Sequence, residues 1–410
     1  MKKSFSFILS IGISTTLLFA QTTNVEGSKY QFKKLVQLDA TPVQSQGQTG
    51  TSWSFSATSF FESEIQRLGA KTPVVLSEMY VVRKAYELKA EKYIRMDGKI
   101  NFGEGGAFHD VPLVIEKFGI VPYEVYSGLN GASTYNHGEL FSQLNMVMTD
   151  VSSRIGAPEG VSDEWKLKFN SMLDRGIGKD VQTFEYNGQR YTPKSYAASL
   201  GLDMKNYVSL TSFTNHPMYS ECMLEIPDNW AWGKSYNVSM DDLVDVTIAA
   251  LKNGYTIAWG ADVSEKGFSF KNGLAIVPAD PAMIEVIGKD DKRFNDAGAE
   301  RKSNAFMEPM KELTITPELR QKGYDNKTTT DDHGMHIVGL FTDQNGTRYF
   351  LVKNSWGTSN LPKGYLYVSE NYFKYKTINI YLHKDGIPQS VKTKLKFYVF
   401  QDSTWHNFCV

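Results

Sequence analysis

What most restricts the folding of this chain is a change of hydrophobic period along it. From Ser52, the residues Phe55, Thr58, Phe61, Ile65 and Leu68 return at steps of three and four, the spacing of one helix face, and Gly69 ends the run. A second helical stretch follows Leu76, with Met79, Tyr80, Ala85 and Leu88 separated by Lys and Glu, as in a helix with one face in water. After a further helical run from Leu243 to Leu251, the stretches TIAWGADV, HIVGLFTD, RYFLVKNSW and GYLYVSE read as strands. The run from Asp343 to Gly346 reads as the turn of a hairpin. A chain that is helical early and strand-rich late, and too long for one small core, is expected to fold as two facing lobes in an α+β arrangement. The expected division is a leader over 1–20, a short segment over 21–40, a helical lobe over 41–126, a middle region over 127–240, a strand-rich lobe over 241–390 and a tail over 391–410. The middle region carries an expected helix around Leu140 to Arg154 and no recognisable chemistry.

Charge narrows the partners. The 44 Lys and Arg nearly balance the 45 Asp and Glu, with no basic run, so nucleic acid is not an expected partner. Lys2 and Lys3, an apolar stretch from Phe5 to Phe19 and the small Ala20 read as a secretory leader cut near Gln21. Ser10, Gly12, Ser14, Thr15 and Thr16 interrupt that stretch, which is shorter than the roughly 20 residues of a membrane span. Export to a periplasmic or extracellular location, with no membrane attachment after cleavage, is the expectation. Only Cys222 and Cys409 are present, so burial rather than a disulfide framework has to hold the fold. Neither cysteine nor any histidine pair has metal-ligand spacing, and no metal or other cofactor is expected.

Three short stretches carry chemistry. In QGQTGTSW, Gln46 stands six residues before Ser52, and Gly47 and Gly50 permit a tight loop that delivers position 52 to the first turn of a helix. There a nucleophile feels the positive end of the helix dipole. The Gln46 side-chain amide and the backbone N–H of position 52 are candidate donors to an oxyanion. TDDHGMHIVG offers His333 as a base at the edge of a strand, and KNSWG offers Asn354, whose carbonyl oxygen can orient the imidazole. The Trp356 ring would shield that hydrogen bond from water. Taken alone, Ser52 would be read as a helix N-cap. His336, three residues after His333 and on the opposite face of the strand, is read as a core residue.

In this order and at this local spacing the residues resemble the papain-like cysteine peptidases, with a serine at the nucleophile position. LSEMYVV at 76–82, GEGGAFHDVPLVIEKFGIVP at 103–122 and GYTIAWGADVSEKGFSFKNGLAIVP at 254–278 resemble further segments of that family. The separation of Ser52 and His333 exceeds the roughly 130–150 residues usual in papains, which makes 127–240 a long insertion. With the short segment before Thr41, this matches the bleomycin hydrolase and aminopeptidase C branch. The resemblance implies a two-lobed papain-like fold and a peptide lying extended in the cleft between the lobes. It also implies a nucleophile position at Ser52, a general base at His333, an orienting Asn354, an oxyanion donor at Gln46, and substrate contacts at Gly105, Gly106 and Trp356. A homo-oligomer is compatible with it. The final KFYVFQDSTWHNFCV is unlike the charged clamp that restricts that branch to free amino ends, so aminopeptidase and endopeptidase modes both stay open.

A serine in place of the thiol changes the chemistry. A thiolate–imidazolium pair exists before substrate arrives, whereas a hydroxyl must lose its proton to the base as it attacks. Loss of a covalent nucleophile costs on the order of 10⁶ in turnover in a serine protease. Two functional readings follow: a peptidase with weak, serine-type activity, and a peptide-binding protein that no longer cuts.

Overall fold

A computed structural model describes residues 22–158, 160–288 and 299–395. The expected leader over 1–20 lies outside them, as do residues 396–410 of the expected tail, with Cys409.

Helix α1 (Ser52–Arg67) is the axis of the molecule. Every residue from Ser52 to Ile65 is buried, so the helix is covered on all sides. Trp53, Phe55, Phe60, Phe61 and Ile65 are all buried along it, as are the small Ser54, Ala57, Thr58 and Ser59 between them. The second helix, α2 (Glu78–Arg95), packs against α1 and starts where the Ser77 hydroxyl accepts the Tyr80 N–H. Around them lie α3 (Asp110–Phe118), α4 (Gly138–Ser152), α5 (Glu164–Ile177) and α6 (Pro193–Ser199). Phe55, Phe61, Tyr80, Val114, Leu144 and Phe169 belong to the shared core of this helical cluster. A last long helix, α7 (Met240–Lys252), is capped by Ser239 and packs on the other lobe.

That lobe is built on a mixed sheet of eleven strands among the described residues. In chain order they are β1 (Lys33–Gln37), β2 (Tyr207–Thr211), β3 (Glu221–Met223), β4 (Lys234–Asn237), β5 (Ile257–Ala261), β6 (Phe268–Ser269), β7 (Leu274–Ala275), β8 (His333–Thr342), β9 (Arg348–Lys353), β10 (Tyr365–Ser369) and β11 (Thr377–His383). The spatial order is β3-β4-β2-β11-β5-β8-β9-β10-β7-β6, with β1 paired to the far end of β8. Antiparallel β8 and β9 form the expected hairpin, and Asp343 Oδ1 closes its turn by accepting the Asn345 and Thr347 N–H groups. Ile257, Trp259, Ile337, Leu340, Phe350 and Val352 form the centre of its core.

The middle region does not pack as one unit. Its helices α4 to α6 join the helical cluster, whereas β2, β3 and β4 extend the large sheet beyond β11. These strands are three to five residues long and carry polar residues such as Ser235 and Asn237, whose pairing comes from the sheet edge rather than from a local pattern.

Candidate active site

The two lobes meet where α1 lies on β8. Ser52 is the first residue inside α1, and Thr51 occupies the cap position with no side-chain capping bond. The reading of Ser52 as an N-cap is thereby corrected. Its hydroxyl oxygen instead accepts the Gly334 N–H at 3.1 Å. A Cβ at position 334 would stand 2.6 Å from Ser56 Oγ and 3.2 Å from Trp53 Cα, so only glycine lets β8 run this close to the helix.

His333 precedes this contact. Its Nε2 lies 2.7 Å from Asn354 Oδ1, and the same oxygen accepts the Ser355 N–H at 2.8 Å. The backbone donor fixes which end of the Asn354 amide faces the ring, so His333 carries its proton on Nε2 and keeps Nδ1 as a base. Trp356 covers the imidazole, with ring centres 4.7 Å apart, and is itself held edge-on by Phe268 and Phe270. His333 is 6% exposed. Burial pulls its pKa down to about 4, against the opposing effects of the Asn354 hydrogen bond and the Asp332 charge. A neutral ring suits a base that must take a proton from a hydroxyl, and it is the wrong form for a stored ion pair with a thiolate. Among the described residues no hydrogen bond joins Ser52 Oγ to His333; the hydroxyl oxygen rests against Gly334.

Gln46 is buried, and one hydrogen of its Nε2 goes to Thr49 O at 2.8 Å. Its Oε1 accepts the Ser355 hydroxyl at 2.6 Å, and its backbone N–H donates to Ser355 O at 2.8 Å. Gln46 therefore ties the loop before α1 to the loop that holds Asn354, with its second amide hydrogen left over for an oxyanion.

Gly105 and Gly106 line a small cavity together with Ser52 and His333, about 40 Å³ counted over positions a water centre can take. A Cβ at Gly106 would meet the Trp53 ring at 2.8 Å, and one at Gly105 would meet Asp228 Oδ2 at 1.8 Å. Asp228 comes from the middle region and is held by Asn101 Nδ2 at 2.9 Å. It lies across the Gly105 side of the cleft. The sequence reading missed it, because the IPDNWAW stretch carries only a turn signal. Asp331 also faces the cavity, and burial together with the Asp228 and Asp332 charges pushes its carboxyl well above the usual range. Its place two residues before His333 was the one available clue. His336 is in the core as expected, with Nδ1 2.9 Å from Ser59 Oγ. Cys222 is buried. Among the described residues no three His, Cys, Asp or Glu side chains are grouped to hold a metal ion, and no helix is long and apolar enough to cross a membrane.

A helical lobe set against a strand lobe, with α1 at the seam, is the papain-like fold, and the chain is similar to C1-type peptidases. Residues 317–408 match the model of the Peptidase C1-like family. Aminopeptidase W of Lactobacillus delbrueckii subsp. lactis is 22% identical over 90% of this chain and 87% of its own length. Aminopeptidase C of Lactococcus lactis subsp. lactis is 24% identical over 85% of this chain and 82% of its own. The crystal structure of PepW from Lactobacillus rhamnosis superposes with a TM-score of 0.65 at 18% identity, covering 88% of this chain and 84% of that one.

Proposed function

We propose that this protein is a peptide hydrolase of the aminopeptidase C type, with Ser52 at the nucleophile position, His333 as general base, Asn354 as its orienting partner and Gln46 as an oxyanion donor. The observation that carries this reading is the Trp356-covered His333–Asn354 pair placed beside the first turn of α1. In the proposed reaction Ser52 Oγ attacks the scissile carbonyl while His333 Nδ1 takes its proton. His333 then returns that proton to the leaving amine, and water releases the acyl group by the reverse sequence. The peptide lies extended past Gly105 and Gly106. Asp228 on that side shortens the space for residues ahead of the scissile bond, which favours substrates with a free amino end. Export of the mature chain belongs to the same proposal and rests on the first twenty residues.

A second reading, peptide binding without turnover, is favoured by the resting position of the Ser52 hydroxyl on Gly334 N–H and by the lack of a bond to His333. One experiment separates the two. The mature protein and its Ser52→Cys variant are assayed on fluorogenic aminoacyl and amino-blocked peptide substrates. Activity of the serine form that disappears in His333→Ala supports serine-type hydrolysis. Activity of the cysteine form alone supports a binding protein built on a peptidase cleft. If neither form cleaves either substrate, the peptidase reading is wrong.

A further inference from the structure

Beside Asn354 a second cavity lies between α1, the start of α2 and the ends of β8 and β9, with Gly334 and Ser56 in its lining. It measures about 20 Å³ over positions a water centre can take. Its lining, which includes Glu62, Glu78, His336, Lys353 and Asn354, is buried except at Gln44. Three buried side-chain atoms of this lining have no hydrogen-bond partner among the described residues: Asn354 Nδ2, His336 Nε2 and Glu78 Oε2.

Their donor and acceptor roles follow from the neighbouring bonds. Asn354 Oδ1 is fixed by the Ser355 N–H, so Nδ2 is a donor. Lys353 Nζ donates to Thr41 Oγ1 at 3.0 Å and to Ser59 Oγ at 2.7 Å. The Ser59 hydroxyl therefore gives its own proton to His336 Nδ1, 2.9 Å away, which leaves the His336 proton on Nε2 as a second donor. The Thr41 hydroxyl likewise passes its proton to Glu62, whose other oxygen accepts the Leu76 N–H at 2.8 Å. Burial raises the Glu78 carboxyl to about 8, so at neutral pH it is a neutral acid, and placing its proton on Oε1 leaves the carbonyl oxygen Oε2 as an acceptor. Two donors and one acceptor are the complement of a single water molecule, and a cavity of about 10–15 Å³ on this measure holds one.

We propose that one water in this cavity accepts from Asn354 Nδ2 and His336 Nε2 and donates to Glu78 Oε2, so that Glu78 and His336 act as positioning residues for the Asn354–His333 pair. Asn354 is then held at both ends of its amide, by His333 and Ser355 at the oxygen and by the water at the nitrogen. The buried Thr41–Glu62–Lys353–Ser59–His336 chain becomes the rigid backing of the base rather than an isolated cluster in the core. The positioning role rests on the reading of His333 and Asn354 given above, but its test reads density and proton exchange instead of turnover, so each can fail without the other.

The test begins with a high-resolution crystal structure of the mature protein. A water peak within hydrogen-bonding distance of all three atoms is expected. A map with no such peak, or with a peak out of reach of any of the three, overturns the proposal. The second arm follows the downfield proton signal of His333 Nε2–H by NMR. Glu78→Leu, which removes the acceptor, should lose this signal through faster exchange, while Glu78→Gln, which keeps an oxygen there, should retain it. A folded Glu78→Leu variant that keeps the signal overturns the positioning role. If Glu78→Leu does not fold, the same loss is expected in His336→Phe, and retention there overturns the role in the same way.

Discussion

The neutrality of His333 can be tested without any substrate. In water its imidazole would titrate near 6.5, and in the fold burial lowers this to about 4. The drop of about 2.5 pH units corresponds to about 3.4 kcal/mol, at 1.36 kcal/mol per unit. As pH falls below 6.5 the unfolded chain takes up the proton first, so the stability contributed by a neutral His333 is full above 6.5 and is lost down to about 4. Between pH 7 and pH 5 the expected loss from this one group is about 2 kcal/mol. The whole protein is a poor readout, because buried acids run the other way. Burial raises the Glu78 carboxyl to about 8 and that of Asp110 to about 7, so their contributions are present at low pH and lost as pH rises toward those values. The difference between wild type and His333→Gln removes these terms, along with those of the buried His109 and His137, which burial also lowers to about 4. Urea unfolding at pH 7 and pH 5 should show wild type losing about 2 kcal/mol more than the variant. A ¹⁵N titration of the ring should place its midpoint below pH 5. Equal losses in the two proteins, or a midpoint at 6 or higher, would refute the claim that burial keeps the base neutral.

Three further perturbations probe the seam, the sheet and the cleft. Gly334→Ala forces a methyl into Ser56 and the α1 backbone and should cost about 1–3 kcal/mol, read as a lower melting temperature; an unchanged melt would count against the close approach. The Arg320 guanidinium is buried and donates to the carbonyls of Ser212, Lys374 and Thr377, so Arg320→Met should leave several acceptors unpaired and cost about 2–4 kcal/mol by urea unfolding. A loss below half a kcal/mol would show that those carbonyls find other donors. Asp228→Ala in the Ser52→Cys background should widen the Gly105 side of the cleft and raise kcat/KM on amino-blocked peptides relative to free aminoacyl substrates. An unchanged ratio would mean that Asp228 does not limit substrate length.

The parts legible in the sequence are those fixed by local pattern. The start of α1 followed from a periodic run preceded by glycines, and the hairpin between β8 and β9 from its turn residues. Strand parity put His333 and His336 on opposite faces of β8, and the structure has the first against Trp356 and the second against Ser59 of α1. What stayed hidden depends on contacts between distant segments. The short strands β2 to β4 exist because β11 offers them an edge, and Asp228 matters because Asn101 and Gly105 bring its loop into the cleft. Gly334 looked like one more strand glycine, yet it has the same parity as His336 and faces the same helix. One row of β8 thus carries both the glycine whose N–H meets Ser52 and the histidine that ends the buried polar chain behind Asn354. Ser52 is almost the same size as a cysteine and sits at a helix start with no side-chain cap, so a Ser52→Cys exchange should leave this seam's packing unchanged. The exchange would change instead what faces Gly334 N–H and His333, at present a hydroxyl that accepts from the first and that, in the proposed reaction, the second has to deprotonate. In the proposed reaction the cost of serine falls on the proton transfer and not on the fold, which is why placing sulfur at this one position is the sharpest test of what the cleft can do.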